Sequence, residues 1–280
     1  MTSLVLDLAL ARRIELSEAM AAADGAETFE RLRPGGGAAV ERIAGGYAVY
    51  CGANSPVTQA VGLGLDGAVS EDEFERLETF YRSRGEPVRV ETCPLAHASL
   101  IEHFGRRKYR VTEFSNVMAL PLCEADSSRA RLDPSANVTI ERVARQQISL
   151  WALTVAQGFS EHFPVAQEII DVMRMFAFGP TVECYLARVE GAVAGGATLA
   201  VRDGVAGLFG ASTLPAFRNR GVQTELLGLR LARAADAKCD LAVCLAQPGS
   251  ISQRNVMRKG FSVLYTRVKF ERELVPAFAP

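Results

Sequence analysis

Net charge, histidine and paired cysteine are all scarce in this 280-residue chain. The formal charge is −1, from 31 Lys and Arg against 32 Asp and Glu, so no global field draws it to nucleic acid or an anionic membrane. The six cysteines Cys51, Cys93, Cys123, Cys184, Cys239 and Cys244 form no C-x-x-C pair, and there are only three histidines. No metal site is expected; the cysteines read as small core residues in a reducing compartment. No stretch approaches the ~20 uninterrupted apolar residues of a membrane-spanning helix. The first residues have no basic leader, and Asp7 and the Arg12-Arg13 pair break their apolar run, so they read as a helix rather than a signal peptide. A cytoplasmic location is the expectation.

What is present suits a globular protein with room for two domains: 49% of residues are apolar and 22% charged. Residues 3–32 carry Leu, Ala and Met at helical spacing and end at Pro34 and Gly35-Gly36-Gly37. Strand-like runs follow at 39–43, 47–51 and 57–65. Ser70-Glu71-Asp72-Glu73 is a capping box ahead of a helix over 74–83. A strand at 88–92, a helix at 98–107 and a strand at 109–120 complete this half. Residues 124–136 are polar, without apolar periodicity, and read as a linker.

The order then restarts. A strand is expected at 138–143, helices at 144–157 and 165–176, and strands at 182–189, 192–201 and 205–214. A helix at 222–235, with a core stripe of Leu226, Leu227, Leu229 and Leu231, leads to a strand at 241–246, a helix at 252–259 and a strand at 261–270. Arg107-Lys108-Tyr109-Arg110-Val111 is echoed by Arg258-Lys259-Gly260-Phe261-Ser262-Val263, each after a short helix and opening a final strand. The halves read as a tandem repeat of one α/β unit, with domains at 1–123 and 137–280.

The segment from Thr213 to Thr224 joins a strand to a helix through a short basic turn containing Gly221. Such a turn leaves backbone N–H groups unpaired at the positive end of a helix, which suits a phosphate. In the first half the matching turn is Asp66-Gly67-Ala68-Val69, without Arg, and its helix opens with acids that repel phosphate.

On these residues the second half, about 137–270, resembles the GNAT superfamily of acyl-CoA N-acyltransferases. The family's R/Q-x-x-G-x-G/A signature reads Arg218-Asn219-Arg220-Gly221-Val222-Gln223, and Gly260-Phe261 fits the end of its last helix. The resemblance implies two tandem GNAT-like mixed-sheet α/β domains, the first degenerate. It implies acetyl-CoA as acyl-donor cosubstrate and an unidentified amine as acceptor. Backbone groups of Asn219, Arg220, Gly221, Val222, Gln223 and Thr224 would cradle the pyrophosphate, with charge from Arg218 and Arg220. Pantetheine would slot between splayed strands at 205–214 and 241–246, pairing with the edges of Ser212 and Leu214. Asn255 would either bond coenzyme A or brace its helix.

The departures concern chemistry. Gln223 replaces a small residue. Val256 stands where many members have an acidic Tyr, and Gly210 where many have a basic Glu. Glu183 and Tyr265 are the nominated replacements: Glu183 as a base with a raised pKa, or a solvent-facing carboxylate; Tyr265 as a group facing the thioester, or a core residue. Ser250, Ser252 and His162 are further candidates. Trp151, Phe159, Phe163, Phe176 and Phe178 pack two helices or wall an acceptor site. The expected function is N-acetyl transfer, with a non-catalytic acyl-CoA-binding sensor or structural module as the alternative. Neither nucleic acid nor membrane is an expected partner, and assembly, a homodimer included, is left open.

Overall fold

The computed structural model describes residues 4–32, 35, 37–53, 55–122, 137–160 and 164–273. The expected linker, His162 and Phe163 lie outside them. The elements are α1 (Leu8–Leu32), β1 (Ala39–Ile43), β2 (Gly46–Tyr50), β3 (Gln59–Val61), α2 (Glu71–Arg82), β4 (Val88–Thr92), α3 (Ala98–Arg106), β5 (Arg110–Pro121), β6 (Val138–Arg142), α4 (Ile148–Phe159), α5 (Gln167–Ala177), β7 (Val182–Val189), β8 (Ala192–Arg202), β9 (Val205–Thr213), α6 (Val222–Asp236), β10 (Leu241–Ala246), α7 (Ile251–Met257) and β11 (Ser262–Arg272). They sort into two compact units, one of Met1–Val117, Ala246–Lys259 and Val263–Pro280, the other of Met118–Leu245 and Gly260–Ser262.

In the first unit the strand order is β1-β2-β3-β4-β11-β5. β1, β2 and β3 are antiparallel, and β3 runs parallel to β4 across α2. The capping box forms as its sequence dictates: Ser70 Oγ accepts from Glu73 N at 3.3 Å, and Glu73 returns a carboxylate to Ser70 N at 2.9 Å. α2 then buries Phe74, Leu77 and Tyr81 on one face, at the i, i+3, i+7 spacing of an amphipathic helix.

β11 pairs antiparallel with β4, so the last strand of the chain goes with the first unit rather than with its own half. The two sequences match in charge. Lys269 lies opposite Glu91 and Glu271 opposite Arg89, with ion pairs of 3.1 and 2.8 Å. Such cross-strand pairs select a register. Phe270 stacks on Phe104 with ring centroids 4.4 Å apart.

The face of β11 toward α1 carries a polar core. Arg267 and Glu15, both wholly buried, are joined by a 2.7 Å bond from Nε to Oε1, and Tyr265 OH donates to the same oxygen at 2.6 Å. Glu18 adds a second carboxylate 2.7 Å from Arg267. Tyr265 was expected as a catalytic group. It is instead a core residue whose hydroxyl is committed to Glu15, and burial followed by the Glu15 charge drives its pKa far above the ordinary phenol.

In the second unit the order is β10-β9-β8-β7-β6. β6 to β9 are antiparallel, while β9 and β10 run parallel across α6. Trp151, Val155 and Ile170 of α4 and α5 pack on Cys184 and Leu186 of β7. Residues alternate across a strand, so Glu183 and Tyr185 face the other way, toward α6.

Two interruptions shape this sheet. β9 and β10 pair only over Val205–Gly207 against Leu241–Val243, and beyond that they part. Against β8 the register slips: Gly196 faces Ser212 but Thr198 faces Phe209, leaving Gly210 and Ala211 opposite Ala197 alone. This is a β-bulge, with Gly210 in the left-handed region at φ +57°. A bulge bends its strand and sharpens the twist, which turns β9 away from a straight partner.

Tyr265→Phe leaves the buried Glu15 carboxylate short of one donor. It should cost about 1–3 kcal/mol, read as a lowered urea midpoint, while activity per folded molecule stays at the wild-type level.

Candidate functional site

At the end of β9, Pro215–Phe217 forms a single 3-10 turn. Phe217 N bonds Leu214 O, and Arg218 N bonds Pro215 O. The chain then reverses through Asn219 at φ +63° and Gly221 at φ +81°, and α6 begins at Val222. Asn tolerates the left-handed region, and Gly occupies it without a Cβ penalty. Gly221 is the N-cap and has no side chain to offer the helix.

Among the described residues, the N–H groups of Asn219, Arg220, Gly221, Val222, Gln223 and Thr224 have no acceptor on the protein. The first helical bond in this stretch runs from Glu225 N to Gly221 O at 3.0 Å. Six consecutive donors lie at the positive end of a 15-residue helix. Arg218 and Arg220 are exposed beside them. Gln223 does not project into the turn: its Nε2 donates to Thr213 Oγ1 at 3.0 Å and ties α6 back to the strand.

The expected edge contacts need correction. Leu214 N donates to Ala194 O on β8 at 2.9 Å, and Leu214 O accepts from Phe217. Both groups are taken. Ser212 shares that edge by the period of two, and a Cβ on Gly195 of β8 would lie 2.4 Å from its carbonyl oxygen. Its hydroxyl donates to Val155 O at 2.9 Å. By the same alternation, the groups of Thr213 are turned away from β8.

Glu183 also departs from expectation. Partial burial works to raise its pKa, but hydrogen bonds from Tyr185 and Arg233 and the charge of Arg142 outweigh this and hold it below the usual carboxylate range. Arg142 and Arg233 stand 3.2 and 3.3 Å away. It is an ion-paired anion on the α6 face, a weaker base than an ordinary glutamate.

Asn255 lies within α7 and accepts from Arg258 at 3.4 Å, bracing its own helix. Ser250 caps that helix by accepting from Gln253 N at 3.1 Å; Ser252 is exposed within it. Trp151 is fully buried, Phe176 packs edge-on against Phe209 of β9 at 5.0 Å, and Phe159 is exposed.

In the first unit, side chains take donors at the end of the corresponding turn and the start of its helix: Val69 N bonds Ser99 Oγ at 2.8 Å and Ser70 N bonds Glu73 at 2.9 Å. Gly64 N bonds Ala44 O at 2.9 Å, and His97 N bonds Gly64 O at 2.8 Å. Arg12 of α1 donates to Leu65 O at 2.5 Å and pairs with Asp66 at 2.8 Å. Ser70 and Glu73 cap the helix that follows.

The fold and turn define a class, and comparison with known proteins agrees. A model of the Acetyltransferase (GNAT) family matches residues 149–261. A GCN5-related N-acetyltransferase from Kribbella flavida shares the fold at TM-score 0.62 and 15% identity, over 92% of this chain and 96% of that one. A tandem GNAT protein from the clavulanic acid biosynthesis pathway matches at TM-score 0.58 and 14% identity, over 86% and 84%. A GCN5-related N-acetyltransferase from Sphaerobacter thermophilus matches at 0.51 and 15%, over 68% and 61%. No curated protein sequence matches. The match to the GNAT family covers residues 149–261, in the second half of the chain, and the fold is the one these solved acetyltransferases share.

Glu183 is ionised at lower pH in the folded chain than in the unfolded one, so its contribution is complete above the unfolded value and fades as pH falls through the folded one. Glu183→Gln should therefore be less stable than wild type by roughly 1 kcal/mol above about pH 5. Denaturation measured down to about pH 3 should show the two curves converging.

Proposed function

We propose that the second unit binds acetyl-CoA and transfers its acetyl group to an amine. The observation that carries this reading is the run of six unpaired N–H groups from Asn219 to Thr224, at the head of α6 and next to the strand edge that β10 leaves free. A pyrophosphate supplies the oxygens these donors lack, and Arg218 and Arg220 add charge. Main-chain groups of Thr213 offer an edge to the amides of pantetheine, as a strand edge does to an added strand. Ser212 and Leu214 support that edge from behind through their bonds to α4 and β8. The first unit, with its turn closed by Arg12 and its helix capped by Ser70, serves as a degenerate partner, so one acetyl-CoA binds per chain.

The thioester supplies an activated acyl group. Transfer forms an amide C–N bond, breaks the C–S bond and releases a thiol. Backbone N–H groups of β9 polarise the thioester carbonyl. With Glu183 and Tyr265 engaged in ion pairs and hydrogen bonds, the proton leaving the amine passes to water, and water returns one to the departing thiolate.

That same engagement supports a second reading, an acyl-CoA-binding sensor or structural module without turnover. Calorimetry with acetyl-CoA and a thiol-release assay on a panel of amines separate the two. One site per chain is expected, with release on at least one amine. Gly221→Asp places a carboxylate among the donors at a backbone angle suited to glycine, and should weaken binding at least about tenfold. Unchanged affinity in this variant contradicts the site, and binding without release on any amine favours the sensor.

A further inference from the structure

α6 presents Leu226, Leu227 and Leu231 to the sheet, all buried. Arg230 stands in the same stripe and is only 3% exposed. Among the described residues no carboxylate pairs with it; its neighbours in charge are Cys244 and Tyr185. Burial pushes its pKa down to about 10, so it is still a cation at neutral pH. A buried charge without a counter-charge destabilises a fold, and a leucine would continue the stripe without that cost. Such a residue breaks the local pattern where the fold needs something a leucine cannot give.

What Arg230 gives is two hydrogen bonds in fixed geometry. Nε donates to Leu226 O on its own helix at 3.0 Å, and Nη1 donates to Thr198 O on β8 at 3.1 Å. Thr198 is the residue at which the β8–β9 register slips. Its hydroxyl lies against Gly210, where a Cβ would come within 2.8 Å. The guanidinium is thus anchored on α6 and grips the backbone beneath the bulge, where the ladder is interrupted and least able to hold itself.

We infer that Arg230 is a positioning residue: by holding the Thr198 carbonyl it fixes the bulge in β9, and with it the width of the β9–β10 opening that receives pantetheine. This rests on the acyl-CoA reading above. Arg230 touches neither the pyrophosphate turn nor its six donors, so its influence is confined to the pantetheine half of the ligand.

The test compares two probes on wild type, Arg230→Met and Arg230→Lys. Acetyl-CoA reads the whole site; ADP presents a pyrophosphate without pantetheine. Arg230→Met should keep or raise the melting temperature, because a buried cation gives way to an apolar chain of similar length. Its dissociation constant for acetyl-CoA should rise about tenfold while that for ADP stays unchanged. Should Arg230→Met fail to fold, Arg230→Lys carries the test. Lys cannot hold both carbonyls in one plane and should show the same selective loss, about threefold. Affinities for both probes unchanged from wild type in the variants overturn the inference, as does parallel loss of both with a lowered melting temperature. A wild type that binds neither probe overturns the acyl-CoA reading and this inference with it.

Discussion

The parallel pairing of β9 with β10 stops after three residues, and what the second unit can bind follows from that interruption. A strand edge normally finds a partner, because unpaired N–H and C=O groups cost free energy when buried. Here the bulge at Gly210 and Ala211 bends β9, and beyond Gly207 β10 no longer pairs with it. The same strand then delivers the chain to a turn whose donors are also unspent. Edge and turn lie in sequence along one path, which suits a long ligand with amides at one end and a pyrophosphate at the other. α4 supports the bend from one face through the Ser212 bond to Val155, and α6 from the other through Arg230 and Gln223.

The first unit shows the same β-α-β order with the opposite outcome. β3 and β4 also run parallel across a helix. Its turn, however, is filled by a guanidinium from α1, and its helix is capped by its own serine and glutamate. The N–H groups of Val69, Ser70 and Glu73, bonded to Ser99, Glu73 and Ser70 side chains, are not open to a phosphate. The polar interior of this unit, with Arg267 between Glu15 and Glu18, binds α1 to β11 and draws Tyr265 into a bracing role.

Local features were legible in the sequence. The capping box of α2 and the turn before α6 depend on residues a few positions apart, and both stand where their residues imply. The helix expected from Ala144 begins as a 3-10 turn at Arg145–Gln147 before α4 takes over. β3 is shorter than its apolar run suggests, because Gly62 and Gly64 take φ of +79° and +72° and bend the chain out of the strand.

Features set by distant partners were not legible. Which edge of β9 is free depends on the parity of its ladder with β8, which turns Ser212 and Leu214 toward β8 and Thr213 away from it. The face of Glu183 depends on which helix covers each side of β7. The home of β11 depends on charge matching with β4, far away in sequence; Glu91 and Arg89 carried that signal, without a way to know which strand they would meet. Arg230 was hidden inside a leucine stripe, where a single arginine reads as ordinary helix composition until its burial is seen.

Amide hydrogen exchange with and without acetyl-CoA tests the central claim most directly. The account predicts strong added protection for the amides of 219–224, no change at Leu214, whose amide already bonds Ala194, and no change over 64–73 in the first unit. Protection over 64–73, or its absence over 219–224 under saturating acetyl-CoA, would contradict it.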